Sequence, residues 1–152
     1  MTIHIKGAKI IAMDAARGSE TFDGDILIEG QRIVAMGAAL LDLDEASKAE
    51  VHFRKALAGN PGHIRARFNL GLSLVQQRRV DEAIGQFRQV VKIDPDWADA
   101  HVNLARALES KEQWFPAEAS YREALRIDPK LVPARNDLAV VLARRGQTSQ
   151  AA

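Results

Sequence analysis

The sequence contains no cysteine, few aromatic residues (one tyrosine, two tryptophans, five phenylalanines) and almost no net charge. The missing cysteine excludes a disulfide framework, a thiolate nucleophile and cysteine-ligated zinc or iron–sulfur sites. A formal net charge of +1 gives no reason to expect binding to nucleic acid or to an anionic membrane surface. No apolar run approaches the roughly 18 residues that span a bilayer, and the first residues lack the features of a secretory signal. We therefore expect a soluble, cytoplasmic protein with neither nucleic acid nor membrane among its partners.

All five prolines lie beyond Asn60, and three of them are equally spaced along the chain. An equal spacing of about 34 residues is a reason to search for an internal repeat. Several further series share the spacing and the phase, which chance does not produce, and we call this common interval the repeat frame. The series are Pro61, Pro95 and Pro129; Ala49, Ala83 and Ala117; Phe53, Phe87 and Tyr121; Leu70-Gly71, Leu104-Ala105 and Leu138-Ala139; and Leu74, Leu108 and Leu142.

Each repeated unit has the apolar spacing of two amphipathic helices. Leu70 and Leu74 lie at i and i+4, and Ala83, Phe87 and Val90 lie at i, i+4 and i+7. The polar residues 76–79 between these runs predict a turn. The prolines end the second helix because the ring cannot donate an amide hydrogen and because it excludes helical geometry at the preceding residue. A unit is therefore predicted to be a helix, a turn, a second helix and a proline-marked break.

The pattern L-G-x-x-L, A-x-x-x-F and D-P within each unit of the repeat frame resembles the tetratricopeptide repeat (TPR). The resemblance covers about residues 38–152. Whole units occupy 64–97 and 98–131, a first unit lies near 30–63, and a partial unit occupies 132–152. The resemblance implies a mostly α-helical fold over residues 33–152, an α-solenoid of about three and a half helix-turn-helix repeats.

Residues 1–32 do not follow the repeat and are predicted to form a short, β-hairpin-like leader. Four β-branched runs, two of them ending at glycine, support this prediction. The runs are Thr2–Gly7, Lys9–Met13, Asp25–Gly30 and Arg32–Met36. The residues from Asp14 to Gly24 are predicted to be a polar connection. Residues 31–37 fit either a strand or the opening helix of the first repeat, and we favour helix from about residue 33 because alanine and leucine follow.

The leader resembles the N-terminal segment of metal-dependent amidohydrolases, in which similar residues form strands of a small β-domain beside a catalytic barrel. That family binds its metal through an H-x-H pair, and none of the four histidines here (His4, His52, His63 and His101) forms one. No P-loop, G-x-G-x-x-G or H-E-x-x-H motif occurs. We therefore predict a chain that is not an enzyme and has no catalytic residue, metal or cofactor. The alternative is an amidohydrolase-derived fragment or chimera with vestigial metal-dependent hydrolase character.

Two smaller motifs have structural interpretations. Ser47-Lys-Ala-Glu50 matches a capping box at the start of a helix, and the preceding acidic residues favour its positive end. Trp97 and Trp114 are predicted to pack between repeats.

The TPR resemblance implies that the first helix of each unit lines a concave groove that binds an extended peptide or a helix of a partner protein. The groove positions of the family fall here on Arg65, Asn69, Leu72, Gln76, Asn103, Arg106, Glu109, Asn136, Val140 and Arg144. The asparagines are expected to bind a peptide backbone, and the arginines to hold acidic side chains or a terminal carboxylate. The carboxylate clamp of chaperone-binding members needs two basic groove residues in one repeat. Only its asparagine element is clear here, which argues against a chaperone-tail partner.

The last first-helix carries Leu138, Val141 and Leu142, and the sequence ends where its second helix is due. Because repeat arrays need a polar covering helix, we expect an uncovered apolar stripe at this end. The stripe predicts self-association through the C-terminal repeat.

Overall fold

The computed structural model describes residues 2–6, 9–14, 18–21 and 45–150, with side chains described over 45–146. Helices account for most of the described residues, and each helix packs against the next one along the chain. The helices are α1 (Ala46–Gly59), α2 (Ile64–Gln76), α3 (Val80–Ile93), α4 (Ala98–Ser110), α5 (Trp114–Ile127) and α6 (Val132–Gln150). The predicted helical class and its helix-turn-helix units are confirmed, with α2–α3 and α4–α5 as the two whole units. None of the described helices is long and apolar enough to cross a membrane.

The break after each second helix is built the same way in three places. An Asx side chain ends the helix and accepts a hydrogen bond from the amide two residues further on, at 3.1 Å for Asn60, 3.3 Å for Asp94 and 2.9 Å for Asp128. A side chain in the next helix then donates to the carbonyl of the repeated proline. These pairs are Arg67 to Pro61 (2.6 Å), His101 to Pro95 (2.9 Å) and Arg135 to Pro129 (2.6 Å). The proline spacing therefore marks a repeated hydrogen-bonded corner.

The turn inside each unit depends on one residue with positive φ. Arg78 (φ 59°) and Glu112 (φ 58°) hold this place in the two whole units, one repeat apart. Gly146 is the next residue in that frame, but α6 continues through it to Gln150. Arg144 and Arg145, which precede Gly146, therefore lie inside a helix and not in a turn.

The core lies between the two helices of each unit. Phe53, Phe87 and Tyr121 are completely buried, as are Ala83 and Ala117 of the alanine series. Gly71 lies so close to Phe87 that a Cβ atom there would stand 2.5 Å from the ring. The small and bulky series therefore pack closely against each other.

Acidic side chains join the outer side of each second helix to the repeat that follows. Glu50 on α1 accepts from Gln77 at 2.8 Å and from Arg79 at 2.6 Å, and also from Arg54 in its own helix at 2.7 Å. The buried Glu118 on α5 accepts from Arg145 of α6 in the same way. Ile84 holds the equivalent place on α3.

At α3 a different pair makes the contact with the following repeat: Asp81 accepts from Lys111 at 2.9 Å. The prediction of a capping box at Ser47–Glu50 is wrong. Ser47 lies inside α1, whose N-cap residue, Glu45, makes no side-chain cap bond. Glu50 binds instead to Gln77 and Arg79 of the next repeat.

The predicted apolar stripe on α6 is largely covered. Val141 is completely buried, and Leu138 and Leu142 are partly buried, because this face packs on α5. The exposed apolar residues of α6 include Val132 and Val140 instead. The expectation of an uncovered stripe at Leu138, Val141 and Leu142 is therefore wrong.

Three short strands are described near the N-terminus: β1 (Thr2–Lys6), β2 (Lys9–Asp14) and β3 (Gly18–Thr21). They pair antiparallel in the order β1-β2-β3. β3 lies in the segment predicted to be a polar connection, because pairing with β2 satisfies its backbone groups without an apolar pattern. The runs over 25–36, the strand-or-helix choice at 31–37 and the boundary at 32 lie outside the described residues. The leader as a unit and its amidohydrolase resemblance stay predictions.

Candidate functional site

The first helices of the units, α2, α4 and α6, carry all ten residues predicted to bind a partner. We call the surface formed by these ten residues the first-helix face. Arg65, Gln76, Arg106, Asn136, Val140 and Arg144 are exposed, and Asn69, Leu72, Asn103 and Glu109 are partly buried. The structure therefore leaves every one of them at least partly accessible to a partner.

The α2 part of the face rests on a row of aromatic rings. Phe68 lies 5.7 Å from Phe87 and 4.6 Å from Trp97, ring centroid to ring centroid. The Phe68 and Trp97 rings are stacked, with an interplanar angle of 29°. Because Trp97 is the N-cap residue of α4, this stack fixes α2 against the next repeat. Trp97 therefore packs on α2 at the junction with α4, and Trp114 packs against the core.

The two asparagines of the α2 and α4 parts differ in what they can offer a ligand. The Asn103 amide donates to the backbone carbonyl of Asp99, one turn earlier in α4, at 2.8 Å. The Asn69 amide forms no hydrogen bond within the described part of the chain. Asn69 therefore keeps two donors and an acceptor for a partner, whereas Asn103 has one donor already engaged.

A polar network crosses from α4 to α6 through the centre of the face. Nε and Nη2 of Arg106 both lie 2.9 Å from Oδ2 of Asp137. The buried Tyr121 hydroxyl donates to Oε2 of Glu109 at 2.9 Å. The pKa of Arg106 is raised, chiefly by the hydrogen bond to Asp137. Burial and the bond to Glu109 raise the pKa of Tyr121, so its hydroxyl stays a proton donor.

This network links two of the predicted residues to groups outside the set of ten. Tyr121 is a core position of the repeat frame, and the pairing of Arg106 with Asp137, 31 residues further along the chain, cannot be inferred from a single unit. The frame does contain a signal. The Leu72 position becomes arginine in the next unit, and the Asn103 position becomes aspartate one unit later.

The α6 part of the face is a mixture of amide, apolar and basic groups. Val140 is 50% exposed, and Asn136 forms no hydrogen bond within the described residues. Gln76 and Arg144 both interact with other residues, so neither is free. Over the described side chains, no group of three or more His, Cys, Asp or Glu residues is placed to hold a metal ion. The face as a whole offers hydrogen-bonding amides beside apolar and charged side chains.

Several solved structures have this fold. "First TPR of Spaghetti (RPAP3) bound to HSP90 peptide SRMEEVD" is 14% identical, with a TM-score of 0.75 over 80% of this chain and 99% of that one. An Arabidopsis OM64 TPR domain is 18% identical, with a TM-score of 0.73 over 75% of this chain and 94% of that one. YrrB, described as a TPR protein with an unusual peptide-binding site, is 28% identical, with a TM-score of 0.69. That alignment covers 73% of this chain and 57% of YrrB.

No curated protein matches the sequence. The family model described as "Tetratricopeptide repeat" matches residues 34–96 and 71–132, which is more than half of the chain. The matched region contains both whole units and their repeated proline corners. The chain therefore belongs to the tetratricopeptide repeat family.

Proposed function

We propose that this chain is a non-catalytic protein-interaction module that binds an extended peptide or a helix of a partner protein on its first-helix face. The observation that carries the proposal is the free Asn69 amide on α2, which lies beside the partly buried Leu72. Polar groups that are free within a folded chain, next to accessible apolar side chains, are what an extended peptide backbone needs. The family and the peptide-binding TPR structures support the same proposal.

The exposed cation on α2 adds to this interpretation. Arg65 lies one turn before Asn69 on the same helix face and has no partner within the described residues. An unpaired guanidinium can donate several hydrogen bonds to a peptide carbonyl or carboxylate. The α2 part of the face is therefore where we place the main contacts with the partner.

The test starts from a peptide array probed with the intact chain, followed by titration of a selected peptide. Asn69→Ala should weaken binding of that peptide about threefold to tenfold, because one or two hydrogen bonds to its backbone are lost. Gln89→Ala is the matched control, since Gln89 is exposed on α3 away from the face and should leave the affinity unchanged. Both variants should unfold at the same urea concentration as the parent. An array with no selected peptide, or equal losses in both variants, would contradict the proposal.

The remaining assignments stay predictions. They are the cytoplasmic location, the absence of catalysis and of nucleic-acid or membrane partners, and the amidohydrolase alternative. That alternative rests on residues 1–37, most of which lie outside the described residues.

We also propose self-association through α6 as a secondary property. Val132 is 57% exposed and Val140 50% exposed on this helix, so apolar surface remains although Val141 is buried. A second copy that buries these side chains would gain the usual hydrophobic free energy of about 25 cal/mol per Å².

A further inference from the structure

Arg106 lies at the centre of the first-helix face, yet its charge is already matched inside the chain. Both Nε and Nη2 of its guanidinium bind a single carboxylate oxygen of Asp137 at 2.9 Å. The Arg106 side chain is 50% exposed and that of Asp137 is 32% exposed, so the pair stands at the surface where a partner would approach. The guanidinium is therefore accessible but occupied.

The repeat frame shows that the two charges occur together. In the preceding pair of units the same two places hold Leu72 on α2 and Asn103 on α4, neither of which is charged. One unit later the places hold Arg106 on α4 and Asp137 on α6, and the two side chains meet. An arginine that binds a ligand needs no carboxylate at the facing position of the next unit. An arginine whose charge is neutralised within the chain does need one.

Resting on the proposed function, we propose that Asp137 is a specificity-determining residue that keeps Arg106 from binding an acidic partner. The Asp137 carboxylate is tethered to the same folded chain, so its effective concentration at Arg106 is about millimolar or above. The carboxylate of a peptide at micromolar concentration must displace it. The partner segment that crosses α4 and α6 is therefore neutral, with amide or apolar side chains beside Asn136 and Val140.

Glu109 adds to the discrimination against acidic partners. Its carboxylate lies on α4 and accepts from the Tyr121 hydroxyl, which is not a cation. An acidic peptide would thus meet Glu109 together with the displaced Asp137. Repulsion between like charges opposes binding of that peptide, so the first-helix face selects its partners by exclusion as well as by attraction.

The experiment uses two fluorescein-labelled peptides and the full chain. One peptide is the acidic SRMEEVD. The other, called the neutral peptide because it has no carboxylate, has glutamine for each Glu, asparagine for Asp and an amidated C-terminus, and both peptides keep the same arginine. Fluorescence anisotropy is recorded for the parent chain, Asp137→Asn, the double variant Arg106→Gln with Asp137→Asn, and Asp99→Asn. Asp99 is an exposed carboxylate on α4 with no ion-pair partner in the described residues, so its variant removes one negative charge without freeing Arg106.

The parent chain should bind the acidic peptide no more tightly than the neutral one. Asp137→Asn should bind the acidic peptide at least about tenfold more tightly than the parent does, since a guanidinium–carboxylate pair becomes available. Its affinity for the neutral peptide should change by less than about twofold, and the double variant should lose the gain. The idea is overturned if Asp137→Asn gains no more than Asp99→Asn, a result that includes no binding of the acidic peptide to either. It is also overturned if the parent already prefers the acidic peptide. A peptide array that selects nothing would instead count against the proposed function alone.

Discussion

Replacing Gly71 with alanine places a methyl group in the space that the Phe87 ring occupies. An ideal Cβ on Gly71 would stand 2.5 Å from Cε1, 2.8 Å from Cζ and 2.9 Å from Cδ1 of that ring. Carbon atoms in favourable contact are about 3.5–4.0 Å apart, so the ring has to move by about 1 Å. Phe87 is completely buried and lies 5.7 Å from the Phe68 ring, and so its displacement disturbs its neighbours.

Two opposing contributions determine the size of the effect. Overpacking a dense core costs about 1–3 kcal/mol. Alanine in place of glycine inside a helix contributes about 1 kcal/mol in the stabilising direction. Gly85 separates the two contributions, because it lies inside α3 with nothing within 4 Å of its Cβ position. Gly85→Ala should therefore stabilise by about 1 kcal/mol, and Gly71→Ala should be less stable than Gly85→Ala by about 1–3 kcal/mol.

Urea unfolding followed by circular dichroism at 222 nm measures both free energies, provided that the slope of free energy against urea concentration is the same. A third chain that combines Gly71→Ala with Phe87→Leu tests the cause, because the smaller side chain makes room for the methyl group. The Phe87→Leu cost measured in that background should be smaller than in the parent chain. If Gly71→Ala stabilises as much as Gly85→Ala does, the close approach of α2 and α3 is not as described.

Three further predictions concern the joints between repeats and the last helix. Glu118→Ile should change the free energy of unfolding by less than about 1 kcal/mol, because Ile84 fills the same place one unit earlier. Arg145→Ala should lower it by about 1–3 kcal/mol, because it leaves a buried carboxylate with fewer donors. Urea unfolding of both variants measures this difference. Burial raises the pKa of Glu50, but hydrogen bonds from Arg54 and Gln77 and nearby positive charge bring it below its ordinary value of 4.5. Its stabilising contribution is therefore present above about pH 4.5 and is lost as the pH falls through the lower pKa of the folded state, so urea midpoints measured between about pH 6 and pH 3 should fall less steeply in Glu50→Gln. Light scattering at rising concentration should show dimers that Val140→Lys removes, and a monomer at every concentration would contradict self-association.

The sequence predicts the parts of the fold that depend on local spacing. Phe53, Phe87 and Tyr121 are buried as the repeat frame requires, because helical period and side-chain volume decide which residues face inward. Gly146 shows the limit of this reasoning. Its place in the frame favours a turn, but α6 continues through it to Gln150 on local backbone hydrogen bonds.

Contacts between units are the part that spacing could not reveal. Glu50 looks like half of a capping box when only its own helix is considered, yet its ion-pair partner Arg79 lies 29 residues away. The pairing of Arg106 with Asp137 on the first-helix face has the same origin. Exposure of the predicted binding residues follows from the helical period, whereas the occupation of one of them by a neighbouring repeat depends on how the units stack.

The alternation of Glu50, Ile84 and Glu118 along the second helices bears on the order in which the units assemble. The second helices α1, α3 and α5 are each 14 residues long, so backbone length does not tell one unit from the next. A stack displaced by one unit would set Arg145 against Ile84 and remove the Arg145 donor from Glu118, which would keep only Arg122, at a cost of about 1–3 kcal/mol. A glutamate meets the next repeat again only after a displacement of two units, because Glu50 and Glu118 are two units apart. Chains built from similar units are prone to mispairing while they fold, and here the alternation of glutamate and isoleucine disfavours a displacement by one unit.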